Sequence, residues 1–280
     1  MVNNLELGKL YLVGTPIGNL EDITLRAIRT LTEVDLIAAE DTRRTGKLLQ
    51  HLQIKTPQLS YNEHNHNSRI QELIARLQEG ESIALVTDAG MPSISDPGVQ
   101  LVQVAIAQKI RVIPIPGGTA VVSALAASGL PTDKFVFEGF LPQKETERIS
   151  RLELLRCETR TIVFYEAPHR ILKTLTDLAR TVGVDREIVL ARELTKIHEE
   201  FWRGSIGEAI ALYTKERQPK GEYTLVLKGT AETNLIISEA ELKLELQQLL
   251  DQGMTRSQAS RHLAKLTSLS RREIYQLDLN

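Results

Sequence analysis

Ile83–Val86 is an apolar run of strand length, and it opens directly into Thr87-Asp88-Ala89-Gly90-Met91-Pro92-Ser93-Ile94-Ser95-Asp96-Pro97-Gly98 before an apolar, helix-like segment begins at Val99. A run this short and uninterrupted reads as a strand buried on both faces, which is the habit of a parallel sheet with helices on either side. Ligands of such sheets lie in the crevice beyond the carboxyl ends of the strands, so the loop from Thr87 to Gly98 is where chemistry is expected. Ala89 and Gly90 let a ligand approach the backbone, and Asp88, Ser93 and Ser95 supply polar groups to orient it. The alternative is a plain strand-to-helix turn with Ser95 or Asp96 as the helix cap.

The same arrangement recurs. Lys9–Val13 reads as the first strand and runs into Gly14-Thr15-Pro16-Ile17-Gly18-Asn19, followed by a helix from about Asp22 with Leu25, Ile28 and Leu31 on its inward face. Strand, glycine-rich loop and helix point to a nucleotide-like ligand. Gly14 and Gly18 match neither a dinucleotide fingerprint nor a P-loop, and Pro16 removes an amide that a phosphate cradle would use. Leu36–Ala39 then empties into Glu40-Asp41-Thr42-Arg43-Arg44-Thr45, which sets proton-accepting groups beside anion-binding ones. A helix start capped by Asp41 or Thr42, with solvated arginines, is the other reading of that segment. Leu59–Tyr61 is expected as an edge strand before a polar loop that carries His64 and His66. No third ligand completes a metal site there, so no metal is expected. A helix over Ser68–Gln78 precedes the strand at Ile83, and a helix over Val99–Ala107 follows its loop. Arg111–Ile115 then closes on Pro116-Gly117-Gly118-Thr119-Ala120. Three small-residue loops at one edge of a sheet favour a binding site over three unrelated turns.

The pattern changes near Gly118. A helix to Ser128 is followed by strands at Phe135–Phe140, Thr161–Tyr165, Ile188–Ala191, Glu199–Arg203 and Tyr223–Leu227, with a polar stretch from Gln143 to Arg151 and a helix from Ile206. The expected division is an N-terminal domain over 1–117 with a parallel sheet, a second α/β domain over 118–232 with a mixed, largely antiparallel sheet, and a helical basic tail over 233–280. That tail holds helices at 239–250, 256–265 and 271–277. Between Gly253 and Arg272 it carries Arg256, Arg261, Lys265, Arg271 and Arg272 with no acidic side chain, so it reads either as an RNA contact or as a helical hairpin with a solvated basic face. Over the whole chain charge is balanced, 34 Lys and Arg against 36 Asp and Glu, which argues against a chain coated in nucleic acid. The lone cysteine, Cys157, is expected to be a packing residue in a reducing compartment. With no bilayer-length apolar run and no basic, apolar leader, a cytoplasmic protein is expected, without membrane attachment.

Taken together and in order, Gly14–Asn19, Glu40–Arg43, Thr87–Gly90 with Ser95–Gly98, Pro116–Ala120 and Phe164-Tyr165-Glu166-Ala167-Pro168-His169-Arg170 make the chain resemble the 16S rRNA cytidine 2'-O-ribose methyltransferases, the ribosomal RNA small subunit methyltransferase I family within the tetrapyrrole-methylase-like superfamily. The resemblance spans about residues 9 to 230. It implies two α/β domains of the class III methyltransferase type with S-adenosylmethionine in the cleft between them, usually as a homodimer. It also implies the small ribosomal subunit as partner and a cytidine in the decoding region as target.

By motif, the resemblance places Pro16 in the loop over the cofactor, and Asp88, Ala89, Gly90, Ser93 and Ile94 along its methionine and ribose. Thr119 and Ala120 fall at the interdomain turn, and Gly221 and Glu222 on the adenosine side. A ribose hydroxyl is a poor nucleophile, and the expected bases are Asp41 and Glu40, then Glu166. Arg43, Arg44, His169 and Arg170 are expected to hold RNA, whose target nucleotide is splayed out of its stack. Two rival readings are a methyltransferase of the same fold acting on a tetrapyrrole or a protein side chain, and a non-catalytic ribosome-binding module.

Overall fold

Alternation of side chains along the first strands builds an α/β/α sandwich. β1 (Lys9–Val13), β2 (Leu36–Ala39), β3 (Gln58–Ser60), β4 (Ile83–Val86) and β5 (Arg111–Ile115) form a wholly parallel sheet in the order β3-β2-β4-β1-β5. Leu10, Leu36, Ala38, Ile83 and Leu85 point to one face, where they meet Leu73 and Leu77 of α3 (His66–Gln78) and Leu101 and Ala105 of α4 (Val99–Ala107). Their chain neighbours Val13, Ile37, Ala39, Ala84 and Val86 point to the other, against Ala27 and Leu31 of α1 (Leu25–Glu33) and Leu49 of α2 (Thr42–His51). Every residue of β4 is therefore buried. The computed structural model describes residues 7–230, 239–264, 269 and 271–278.

The strand order decides where a ligand can sit. β1 lies between β4 and β5, and β2 flanks β4, so the loops that leave β2, β4, β1 and β5 emerge side by side at one edge. The chain turns from one side of β1 to the other at that point, which is the topological switch of an open parallel sheet.

The second sheet runs β6-β7-β10-β8-β9, built from β6 (Phe135–Phe140), β7 (Thr161–Glu166), β8 (Glu187–Arg192), β9 (Glu200–Ser205) and β10 (Tyr223–Leu227). Only β6 and β7 pair in parallel, and the remaining ladders are antiparallel. α5 (Ala120–Ser128) covers one face through Val121, Ala124 and Leu125, packed on Val163, Val189 and Val226. α6 (Glu145–Leu154), α7 (Ile171–Val182) and α8 (Ile206–Ala211) lie on the other face, over Ile162, Phe164, Leu190 and Leu225. Both sheets belong to one compact unit that extends to Lys228, less residues Cys157–Thr159.

Two local expectations fail, at Leu25 and Cys157, and two segments that the sequence left open take a definite form. Leu25 is 86% exposed, because Thr24 caps α1 through Ala27 N (3.0 Å) and the helix buries Ala27, Thr30 and Leu31 instead. The polar stretch from Gln143 contains α6, whose Arg148 is 1% exposed. Its guanidinium donates to Asp177 Oδ2 of α7 (2.7 Å) and to the carbonyls of Pro142 and Gln143, so its charge is matched inside the fold. Cys157 is exposed and packs in no core. Neither Ser95 nor Asp96 caps α4, which begins after Gly98 at φ 145° with no side-chain cap.

A second compact unit joins Cys157–Thr159 to the chain from Gly229. Its helices α9 (Glu239–Asp251), α10 (Arg256–Leu263) and α11 (Arg271–Gln276) share a core of Leu242, Leu246, Ala259, Leu263 and Ile274. Arg256 donates to Tyr275 O (3.0 Å) and to Leu277 O, which makes it a clasp between α10 and the end of α11. Arg271 donates to Ser257 Oγ (2.8 Å), whereas Arg261 and Arg272 are exposed. Lys265 lies outside the described residues. No described helix is long and apolar enough to cross a membrane.

Candidate active site

The loops after β1, β4 and β5 are locked together by their backbones. Thr15 and Gly90 form an antiparallel bridge, Thr15 N to Gly90 O at 2.9 Å and Gly90 N to Thr15 O at 3.1 Å, and Thr15 Oγ1 donates to Thr87 O (3.0 Å). Gly14 and Gly117 touch so closely that a Cβ on Gly117 would lie 2.8 Å from Gly14 Cα and C. Gly90 holds φ +85°, which explains the residue type at the head of the β4 loop.

Behind these loops is a cleft of about 430 Å3. Ile17, Met91 and Ile94 line it from the first sheet's loops, and Phe140, Ala191 and Leu194 from the second sheet's side, giving apolar walls. Glu40, Asp88 and Asp96 form a carboxylate cluster along one part of it, and Arg44 is the only cation among the described lining residues. Asp88 N donates to Glu40 Oε2 (3.1 Å), and Arg44 Nη1 pairs with Asp88 Oδ2 (3.1 Å). Burial raises the Glu40 carboxyl above its ordinary range, although the Asp88 amide opposes the shift. Asp88 is also raised by burial, against the pull of Arg44. Asp96 goes furthest, pushed up to about 7 by burial and then by the negative charge of Glu40.

Eleven of the residues expected from sequence line this cleft: Glu40, Arg44, Asp88, Ala89, Gly90, Ile94, Ser95, Thr119, Ala120, Glu166 and Glu222. Several others of the first unit are close to them in the chain. Pro16 and Ser93 are chain neighbours of the lining residues Ile17 and Ile94, and Gly221 precedes Glu222. Gly221 holds φ +81° over Glu193, whose Oε1 accepts from Glu222 N (2.9 Å). Asp41 caps α2, accepting from Arg43 N (2.8 Å), and the Arg43 guanidinium grips it through Nε (3.1 Å) and Nη2 (2.7 Å). Those bonds hold the Asp41 carboxyl well below the usual range. Glu166 is 2% exposed and accepts from Ala167 N, Thr174 Oγ1 and the Arg170 guanidinium, while Arg170 also donates to Leu141 O (2.7 Å). His169 is exposed. The residue missed by sequence reading is Asp96, although it stands in the quoted Ser95–Gly98 motif. Tyr165, Tyr223 and Thr224 also line the cleft without having been expected.

The cleft fits S-adenosylmethionine on this chain's own terms. Asp88 Oδ1 and Ser93 Oγ are buried with no hydrogen-bond partner among the described residues, so the loop holds polar capacity that the fold does not use. A carboxylate wall suits a ligand bearing ammonium and sulfonium charge and ribose hydroxyls, and the scarcity of cations disfavours a phosphorylated nucleotide. Asp88, at the cleft wall, would hold the polar end, with Ile17, Ile94 and Leu194 against its apolar surface.

Comparisons agree with this architecture. The profile of the family Tetrapyrrole (Corrin/Porphyrin) Methylases matches residues 9–210. The chain is 59% identical to a Ribosomal RNA small subunit methyltransferase I of Synechocystis over 98% of both chains. It is 54% identical to the protein of that name from Thermotoga maritima, over 80% of this chain and 99% of the other. Among solved structures, a uroporphyrin-III C-methyl transferase from Thermus thermophilus complexed with S-adenyl homocysteine superposes with a TM-score of 0.55 at 20% identity, over 79% of this chain and 97% of that one. The chain therefore belongs to the tetrapyrrole methylase family and, within it, to the ribosomal RNA small subunit methyltransferase I family.

Proposed function

We propose that the chain methylates the 2'-hydroxyl of a cytidine ribose in the decoding region of 16S rRNA, with S-adenosylmethionine as donor and the small ribosomal subunit as partner. The observation that carries this reading is the carboxylate-walled cleft with its loop of unused polar atoms, in a chain 59% identical to a relative named for small-subunit rRNA methylation. S-adenosylmethionine bound there supplies an electrophilic methyl group on a sulfonium. The protein's own part is to hold the ribose oxygen in line and to take its proton.

Asp96 is the group best placed to accept that proton, at a carboxylate oxygen. A base poised near neutrality combines the ionised form with useful basicity, and Asp96 is pushed up to about 7 at the cleft wall. Asp41 is gripped by Arg43, and Glu166 has its oxygens engaged by Ala167, Thr174 and Arg170. Glu40 contributes charge beside Asp96, and Arg44 presents a cation to the phosphate of an incoming nucleotide. In this reading the two sheets act as domains, 1–117 and 118–232, that close on the donor in a cytoplasmic homodimer.

Label from methyl-labelled S-adenosylmethionine should appear in the 16S rRNA of small subunits lacking the modification, at one cytidine ribose. Label in another molecule, or none, would refute the reading. Asp41→Asn should keep turnover within a few-fold of the parent, because Asn also caps helices well. Collapse of single-turnover methylation in that variant would restore Asp41 as the base.

A further inference from the structure

A cavity of about 450 Å3 lies along the face of the first sheet that α1 covers, from Lys9 and Arg111 at the strand starts to Ile115 at the end of β5. Four cations line it, Lys9, Arg26, Arg29 and Arg111, with Glu33 as the only carboxylate among the described lining residues. None of the four makes an ion pair with Glu33 or any other described carboxylate. Lys9 and Arg111 open β1 and β5 and are register partners in that parallel ladder, on the face that α1 covers. Arg26 and Arg29 stand three apart on α1, so they share a helix face.

Like charges set directly side by side across strands destabilise a sheet. A face that served only to be solvated would disperse such charges or pair them. Here three elements deliver unpaired cations to one concavity, with the Thr30 and Ser82 hydroxyls beside them. That is the composition of an anion site.

We infer that Lys9, Arg26, Arg29 and Arg111 form a phosphate-binding site that engages the sugar–phosphate backbone of the rRNA substrate away from the reacting nucleotide. The inference rests on the RNA reading above. A five-residue strand is roughly 16 Å long, so Lys9 and Arg111, which open β1 and β5, stand about that far from the loops that leave those strands for the cleft, a separation that a folded RNA spans and a single nucleoside does not. Phosphate contacts of this kind fix register and add salt-dependent affinity without reading bases.

The test compares the parent with Arg26→Gln/Arg29→Gln and with Arg111→Gln. Binding of a 16S rRNA fragment should weaken about tenfold or more at 0.1 M salt in the double variant, and the slope of log K against log salt should become shallower by about 2. S-adenosylmethionine affinity by calorimetry should stay unchanged, and kcat on small subunits should hold while KM rises. The thermal midpoint of Arg111→Gln should stay or rise, since a repulsive pair is removed. Unchanged RNA affinity and salt slope would overturn the site, as would a lowered midpoint that marks Arg111 as a structural group. Inorganic phosphate binding to the parent and not to the double variant, with RNA affinity unaltered, would reassign the site to a free anion and also overturn the inference. If the parent transfers no label to small subunits, the methyltransferase reading fails, while the RNA-binding comparison still decides this site.

Discussion

Gly117→Ala is expected to lower S-adenosylmethionine affinity at least tenfold and up to about a hundredfold, measured by calorimetry, with the fold retained. The added Cβ would lie 2.8 Å from Gly14 Cα and C and 2.9 Å from its carbonyl oxygen. All three are backbone atoms, so no rotamer change relieves the clash and the β1 and β5 loops must part. Parting is not absorbed locally, because Thr15 is bridged to Gly90 and holds Thr87 O through its hydroxyl. Displacing Gly14 therefore drags the β4 loop, where Asp88 and Ser93 keep their unused polar atoms. Overpacking of this sort costs about 1 to 3 kcal/mol, which spans the stated range of affinity. Gly14→Ala should behave alike, since its Cβ would meet Gly117 N and Cα at 2.7 Å. Gly46→Ala is the control: it lies within α2, its Cβ meets nothing closer than Gln58 Nε2 at 3.5 Å, and it should leave affinity alone while stabilising the helix. Parent-like affinity in Gly117→Ala would mean that the three loops are not mechanically coupled.

That coupling is also why so much of the first sheet was legible. A strand covered on both faces has no polar side, so β2 and β4 stand in the sequence as bare apolar runs, while β1 and β5, each opened by one cation, are still apolar enough to be read with the bounds found in the structure. Helices with mixed faces were harder. α7 carries Ile171, Leu175 and Leu178 at helical spacing, a signal that the adjoining Glu166–Arg170 motif masked, and all three are fully buried. Arg148 lay beyond any pattern argument, since its burial depends on Asp177, a partner on another helix. Leu25 shows the reverse error: a capping threonine set the phase of α1, and the apolar residue that followed it faces water.

Within the site, position was readable and chemistry was not. Small residues at the strand ends mark where a ligand approaches, and eleven of the expected residues line the cleft. Proton affinity depends on neighbours brought from other strands. Asp41 and Asp96 are both carboxylates in loops at the same sheet edge, yet Arg43, two residues on, depresses the first, whereas burial and Glu40, from the β2 loop, raise the second. The local pairing of Asp41 with Arg43 is written in the sequence. The approach of Glu40 to Asp96 exists only once β2 and β4 lie side by side.

Asp96→Asn should therefore reduce single-turnover methylation by about a hundredfold to ten-thousandfold, the range attached to a positioned general base, while S-adenosylmethionine affinity stays within a few-fold. In the parent, the rate should rise with pH and reach half its plateau near 7, because only the ionised carboxylate accepts the ribose proton. The groups that bear on Asp96 are Glu40, Asp88 and Glu63, whose negative charges all raise it, the Thr87 hydroxyl, whose hydrogen bond opposes them, and Tyr165, whose phenol is itself raised; Arg44 acts on Glu40 and Asp88. The rising limb should vanish in Asp96→Asn. Stability supplies a second readout of opposite sign. The folded carboxyl holds its proton up to about 7 against an ordinary 3.8, so folding takes up a proton and the stability associated with Asp96 is lost as pH rises through 7. An amide carries no such charge, so Asp96→Asn should melt higher than the parent at pH 8, by a margin that narrows as pH falls from 7 and closes below the ordinary 3.8. A variant both slower and more stable fits a carboxylate kept at a cost to the fold for the sake of catalysis. A variant that is slow and less stable at pH 8 would make Asp96 a structural group and return the search for the base to Glu40.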